Sequence, residues 1–216
     1  MVRVPEHRAS SADGLGLLDA DERKRYADFR RSADRDRYAV GHVALRRLLG
    51  AYLSAAPDEV TLEREPCPLC GGPHGRPAVP GPGLHFSLSH SGELVLLAFA
   101  ATPVGIDVEQ ALGAAAVDDV LASLHPREQL ELVGHTPATR AEAVLRCWTR
   151  KEAYLKGTGE GLPGGPKRTY VGTGPQPAGV PGWRLSDVTV DPGHAAAIAV
   201  WTGDAMGDAS PRAWAA

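Results

Sequence analysis

Two carboxylic acids, Asp107 and Glu109, stand two residues apart in the segment VGIDVE. In an extended strand that spacing projects both side chains from one face, about 7 Å apart along the backbone, close enough to approach one hard cation. Glu152 offers a third oxygen ligand, and at helical spacing it shares a stripe with Trp148 and Lys156. Carboxylates beside a lysine suit a Mg²⁺-bound diphosphate, because Mg²⁺ takes few protein oxygens and completes its shell with water and phosphate oxygens. The plainer reading stays open at this point: acids after a strand often cap a turn, and Glu152 with Lys156 is an ordinary i, i+4 helix pair.

Other segments offer different chemistry. Cys67, Cys70 and His74 in CPLCGGPH have zinc-like spacing, but three obvious ligands with no second CxxC fit a tight turn with free thiols as well. Ser89-His90-Ser91 contains a nucleophile and a base, yet sequence neighbours seldom work as a catalytic pair and no G-x-S-x-G elbow is present. GTGEG follows a helix, where a dinucleotide loop must follow a strand, so it reads as a helix stop. Arg30, Arg31, Arg35, Arg37, Arg46 and Arg47 are either a solvated helix surface or an anion site. Cys147, beside Trp148, is most simply a small buried hydrophobe.

The elements that must position these residues can be outlined from composition and pattern. The chain has 216 residues, 43% hydrophobic and 23% charged, which allows one large domain or two small ones with a real core. With 25 Gly and 18 Pro it needs many turns, so an all-helical fold is excluded. A net charge of −3 gives no global reason to bind nucleic acid or an acidic membrane. The longest apolar runs are far short of the roughly 20 residues that span a bilayer. The opening MVRVPEHRAS has no apolar core of the secretory kind, and three cysteines agree with free thiols, so a reducing cytosol is expected.

The first ordered segment is expected to be a helix capped by Asp19 with Glu22 three residues on, followed by a second helix from Ser32 to about Leu53. A connector over 57–82 carries a short strand at Val60–Leu62. HFSLSHS and LVLLAFA then form a hairpin, the first strand half-exposed through Ser87 and Ser89. VGIDVE follows as a strand with Val104, Ile106 and Val108 inward and the acids outward. A helix starts near Pro126, a long one ends at Gly157, and WRLSDVTV pairs with HAAAIAVW through Asp191-Pro192-Gly193. The order is α+β, with a suggestion of two similar halves meeting near Thr102.

GIDVE followed by WTRKEAYLKGTGEGL resembles the signature pair of the Sfp-type 4′-phosphopantetheinyl transferases. FSLSHSG, HPRE, HGRP and RYAVGHVALRRLL also resemble family segments, in the family's order, so the resemblance covers roughly residues 19–162. It implies a two-lobed pseudodimer, residues 1–102 and 103–216, that moves the phosphopantetheine arm of coenzyme A to a serine of an apo acyl or peptidyl carrier protein, leaving adenosine 3′,5′-bisphosphate. It implies Mg²⁺ held by Asp107, Glu109 and Glu152, Glu128 as the general base, and Lys156 neutralising the transferring phosphate. It places the coenzyme A grip at Arg25, Arg37, His74, Gly75, Arg76, Pro77, Ser89, His90 and Lys151, with Lys156 again in contact. Two departures stand out: Glu22 occupies a position where some members carry a phosphate-binding lysine, and Arg76 one where many carry lysine. A monomer follows from two fused halves. Another Mg²⁺-dependent diphosphate enzyme, such as a nucleotidyl transferase, would share the acids and the lysine. A zinc-knuckle nucleic-acid binder would need a basic stripe around the cysteines, where only Arg64 and Arg76 stand among Glu63 and Glu65.

Overall fold

A computed structural model describes residues 1–81 and 83–203. The elements run β1 (Val2–Arg3), α1 (Val4–Asp13), α2 (Ala20–Asp28), α3 (Ser32–Leu53), β2 (Glu63–Arg64), β3 (Pro77–Ala78), β4 (His85–Ser91), β5 (Leu94–Ala100), β6 (Val104–Gln110), α4 (Ala114–Ser123), α5 (Pro126–Glu131), α6 (Pro137–Thr158), β7 (Trp183–Asp187) and β8 (His194–Trp201). This is an α+β chain, and its two halves repeat one plan. In each, a first strand is followed by helices, a 22-residue helix, and an antiparallel hairpin. The sheets have the same order, β1-β5-β4 and β6-β8-β7, so the first strand of each half pairs with the last.

The repeat extends to buried charge. Asp19 caps α2 by accepting from the Glu22 N–H, while Glu22 accepts from the Asp19 N–H, both at 2.9 Å. The buried Glu22 carboxylate then pairs with Arg46 of α3 at 2.5 Å and His42 at 2.8 Å. In the second half Glu128 caps α5 in the same manner, accepting from the His125 N–H at 2.9 Å, and pairs with Lys151 of α6 at 2.7 Å. An acid at the third position of a short helix is favoured by the helix dipole, and here it also fixes the short helix to the long one.

Several expectations are corrected. The first ordered element is β1, then α1, whose Pro5 is suited to a first helical turn. Residues 60–62 form no strand; β2 and β3 pair instead at Glu63↔Ala78 and Arg64↔Pro77. The alanine-rich stretch after β6 is a helix, α4, and α6 continues to Thr158 before Gly159 takes the left-handed conformation (φ +80°). Arg46 belongs neither to a solvated surface nor to an anion site. It is fully buried, and its guanidinium also donates to the carbonyls of Val60 and Pro57 and to Asp19 Oδ2. Glu22 is committed to that pair and to His42.

The halves meet along β4, β5 and β6. Leu94, Leu96 and Ala98 of β5 pack with Val104, Ile106 and Val108 of β6 in one apolar cluster. Beside it, the β4 face expected to be half-exposed is buried, because Ser87, Ser89 and Ser91 turn toward β6. Their Oγ atoms accept from the N–H groups of Ile106 (3.1 Å), Val108 (3.4 Å) and Gln110 (3.0 Å). Serine hydroxyls thus replace a backbone ladder and satisfy amides that burial would otherwise leave unpaired. At the far edge Arg3 and Asp191 pair in bidentate fashion at 2.9 and 2.8 Å.

Helix α6 lies against β6 and β8 because small residues line the contact. Ala153 packs on Ala197 and Ala199, all buried. At Gly105 a Cβ would come within 1.9 Å of the Ala153 carbonyl oxygen and 2.4 Å of the Gly157 nitrogen. Those neighbours are backbone atoms and cannot swing aside. Gly105→Ala should therefore push α6 off the strand and destabilise the protein by about 3 kcal/mol, the upper end for overpacking, as read by urea unfolding. A loss under about 0.5 kcal/mol would show that the contact has slack.

Candidate active site

Asp107, Glu109, Glu152 and Lys156 converge where β6, β4 and α6 meet. The register of β6 turns Asp107 and Glu109 toward β4, and the close fit at Gly105 brings α6 down so that Lys156 reaches Asp107. Lys156 Nζ donates to Asp107 Oδ1 at 2.7 Å and to Ser89 Oγ at 2.9 Å, while Ser89 Oγ donates to the same carboxylate oxygen at 2.8 Å. Ser91 Oγ donates to Glu109 Oε2 at 2.9 Å. Asp107 is buried, not solvent-facing as the alternation suggested, since the other half of the molecule covers that face.

The electrostatics of this cluster are unsatisfied. Burial raises the pKa of Asp107, against the pull of Lys156 and Ser89. Burial and then the charge of Asp107 raise that of Glu109. The Glu152 carboxyl is pushed up to about 7, first by burial and then by Asp107 and Glu109, with Lys156 opposing. Two buried carboxylate oxygens, Asp107 Oδ2 and Glu152 Oε1, have no hydrogen-bond partner among the described residues. Three acids against one lysine, with orphaned oxygens, form a donor set suited to a divalent cation, which would supply the missing positive charge. The three do not fall within the 4.8 Å spacing that gathers Cys67, Cys70 and His74.

The residues expected around coenzyme A are placed unevenly. His90 is exposed on β4; crowding by surrounding protein, then the charges of Arg37, Lys156 and His42, lower its pKa, so these groups lie within electrostatic reach. Arg37 stands on α3 beside Asp34, Nη2 to Oδ1 3.5 Å, and lines a cleft of 440 Å³ with Arg3, Gly92 and His194 that does not include the acids. Arg25 is exposed at the end of α2, stacked over Phe29. Arg76, on the loop entering β3, pairs with Glu65 at 2.7 Å and donates to the Gly157 carbonyl at 2.5 Å, one residue from Lys156. Gly75 is buried, and a Cβ there would strike the Glu65 carbonyl oxygen at 2.3 Å. Pro77 is exposed on β3, and the His74 ring turns to Cys70, Nε2 to Sγ 3.0 Å.

Two residues expected at the site, Glu128 and Lys151, are enclosed. Glu128 was expected at an accessible helix start, but its carboxylate is fully enclosed. Oε1 accepts from the N–H groups of Val171 (2.7 Å) and Gly172 (3.3 Å), and Oε2 from His125 N–H and Lys151 Nζ. Both oxygens are filled and the residue has no solvent contact, so the carboxylate caps α5 and anchors it to α6 and to residues 171–172. Lys151 is equally committed, donating to the Thr169 carbonyl at 2.6 Å as well as to Glu128. Sequence reasoning missed Ser91 and Ser87 as partners of the β6 strand; their signal was the serine at every second position of FSLSHS.

A family model described as the 4′-phosphopantetheinyl transferase superfamily matches residues 103–198, the half that contains the three acids and the lysine. The chain is 31% identical to the 4′-phosphopantetheinyl transferase HetI of a Nostoc species, over 92% of its own length and 85% of that protein's. It is 30% identical to a phosphopantetheinyl transferase of a Thraustochytrium species, over 96% of this chain and 79% of the other. With the Sfp transferase of Bacillus subtilis it shares 23% over 68% and 63%. The chain belongs to the 4′-phosphopantetheinyl transferase superfamily.

Two outcomes follow from the electrostatics. Glu128→Gln should cost about 3–5 kcal/mol in urea unfolding, because Lys151 would be left buried and unpaired, and adding Lys151→Met should recover about 2 kcal/mol of it. Loss without recovery would place the effect elsewhere. For Glu152, the folded chain keeps a proton that the unfolded chain releases near 4.5, so in metal-free protein stability falls as pH rises from about 4.5 to about 7. Glu152→Gln should accordingly raise the melting temperature in EDTA at pH 8, with the gain fading below pH 4.5. A gain independent of pH would contradict the shared repulsion.

Proposed function

We propose that this chain transfers the 4′-phosphopantetheine arm of coenzyme A to a serine hydroxyl of an apo acyl or peptidyl carrier protein. The observation that carries the reading is the buried cluster of Asp107, Glu109 and Glu152 with Lys156, in which Asp107 Oδ2 and Glu152 Oε1 lack partners. These acids would hold Mg²⁺, which when bound draws negative charge from the diphosphate and orients it. Lys156, fixed by Asp107 and Ser89, holds its ammonium where the transferring phosphate gathers negative charge, and needs little reorganisation to do so. Arg37 and His90 grip the 3′-phosphate of coenzyme A from α3 and β4. Arg76 adds charge at the end of α6 next to Lys156, and a guanidinium there keeps the charge of a lysine while offering a fork of donors.

The division falls between 102 and 103, where β5 hands over to β6, so the acids and Lys156 come from the second lobe and Ser89, His90 and Arg37 from the first. Two lobes fused in one chain fill the interface that separate halves would share, which supports a monomer. Among the described residues no helix is long and apolar enough to cross a membrane. The free thiols of Cys67, Cys70 and Cys147 support a cytosolic location.

Intact-mass measurement of apo carriers incubated with coenzyme A and Mg²⁺ should show a gain of about 340 Da, the mass of the arm, and Asp107→Asn should abolish it. No gain on any acyl or peptidyl carrier would reject the reading in favour of another diphosphate chemistry. Arg37→Ala and His90→Ala should lower kcat/KM for coenzyme A about tenfold or more beyond their effect with dephospho-coenzyme A. Equal losses with both donors would place these residues away from the 3′-phosphate.

A further inference from the structure

We propose that Cys67, Cys70 and His74 bind a zinc ion that pins the β2–β3 hairpin beside the catalytic helix. Their ligand atoms all lie within 4.8 Å of one another, the group of described residues gathered in this way. The chemistry selects the metal: two thiolates and an imidazole are soft donors that favour Zn²⁺ over the Mg²⁺ suited to the carboxylates of the active site. Both cysteines are free, so no disulfide uses them.

The loop is built to hold this arrangement. The Cys67 N–H donates to the Gly72 carbonyl at 2.8 Å, the Gly71 N–H to the Cys67 carbonyl at 2.7 Å, and the His74 N–H to the Gly72 carbonyl at 2.9 Å. Gly71 takes the left-handed conformation (φ +74°) that such a turn needs. A Cβ on Gly72 would lie 3.0 Å from the His74 ring and 3.4 Å from Cys70 Sγ, so glycine there leaves room for the ring to fold onto the sulfur. The amides of Leu69 and Cys70 point at the Cys67 sulfur, the outer-shell support that thiolate ligands commonly receive. Cys67 is buried under the turn while Cys70 and His74 are exposed, which leaves a fourth coordination position open to water.

The ion's place in the fold gives it a structural task. The turn closes the hairpin in which the Gly75 N–H donates to the Glu65 carbonyl and the Glu65 N–H to the Arg76 carbonyl, at 3.0 and 3.1 Å. Arg76 in turn reaches the Gly157 carbonyl at the end of α6. Two strands of two residues cannot hold such a turn in register by themselves, and a metal crosslink at its tip would. The His74 ring is then occupied by the metal, and the backbone of His74–Gly75 remains for other contacts.

The test uses the full chain purified without chelator. Elemental mass spectrometry should find about one zinc per chain, and the Cys67→Ser/Cys70→Ser variant should lose it at least about tenfold. Should that variant fail to fold, the wild-type chain stripped of zinc and titrated with Co²⁺ keeps the proposal testable. A thiolate-to-metal charge-transfer band and tetrahedral visible absorption should then appear and saturate at about one equivalent. Three results would overturn the proposal: under about 0.1 zinc per wild-type chain with no Co²⁺ band, zinc retained by the double variant, or a Cys67–Cys70 disulfide in the freshly isolated chain.

Discussion

The geometry of the active site depends on the closeness of α6 to β6. Gly105 lets a helix backbone and a strand backbone meet where a Cβ would collide, Gly157 makes room for the Trp183 ring, and Ala153, Ala197 and Ala199 continue the thin seam. At this depth Lys156 can reach a strand carboxylate directly. On the other side of β6 the serines of β4 perform a similar task with hydrogen bonds, so the strand that holds Asp107 and Glu109 is fixed by two unlike contacts. One is steric and the other polar, and both come from residues with small side chains.

The two halves use buried charge for different ends. Glu22 with Arg46, and Glu128 with Lys151, are acids whose lone pairs are filled by backbone amides and a basic side chain from the long helix. Arg150 is a further case, fully buried and bound to Asp187 and to the Gly172 and Gly174 carbonyls. Such groups cost desolvation but leave nothing unpaired, and they tie short helices and loops to the core. The acids around Lys156 do the reverse. They are desolvated, repel one another and retain free oxygens, a state that a bound cation relieves. The contrast distinguishes carboxylates whose oxygens are filled from carboxylates that could take a cation more sharply than position along the chain does.

The β2–β3 hairpin lies against the end of α6. It is small, rich in proline and glycine, and contributes little apolar surface, yet Arg76 on it touches the end of α6 next to Lys156. A crosslink at Cys67, Cys70 and His74 would let a poorly packed segment hold a charged side chain in place.

Much of the local structure around the candidate site was legible in the sequence because it rests on local spacing. The i, i+2 acids, the i, i+4 stripe of Glu152 and Lys156, the Asp19–Glu22 cap and the β4–β5 hairpin each follow from one period, one cap or one turn, and the structure contains them all. The repeat was only hinted at, since β1 is two residues long and pairs with β5 through contacts some ninety residues away. Burial could not be read at all where one half covers the other: the serine face of β4 and Asp107 look outward by alternation and lie inside because β4 and β6 oppose their polar faces. The same limit governs Glu128 and Arg46. A first-turn acid and a helix arginine have the same local pattern whether solvated or enclosed, and only the approach of 169–172 to one, and of 57–60 to the other, decides that each is a buried anchor.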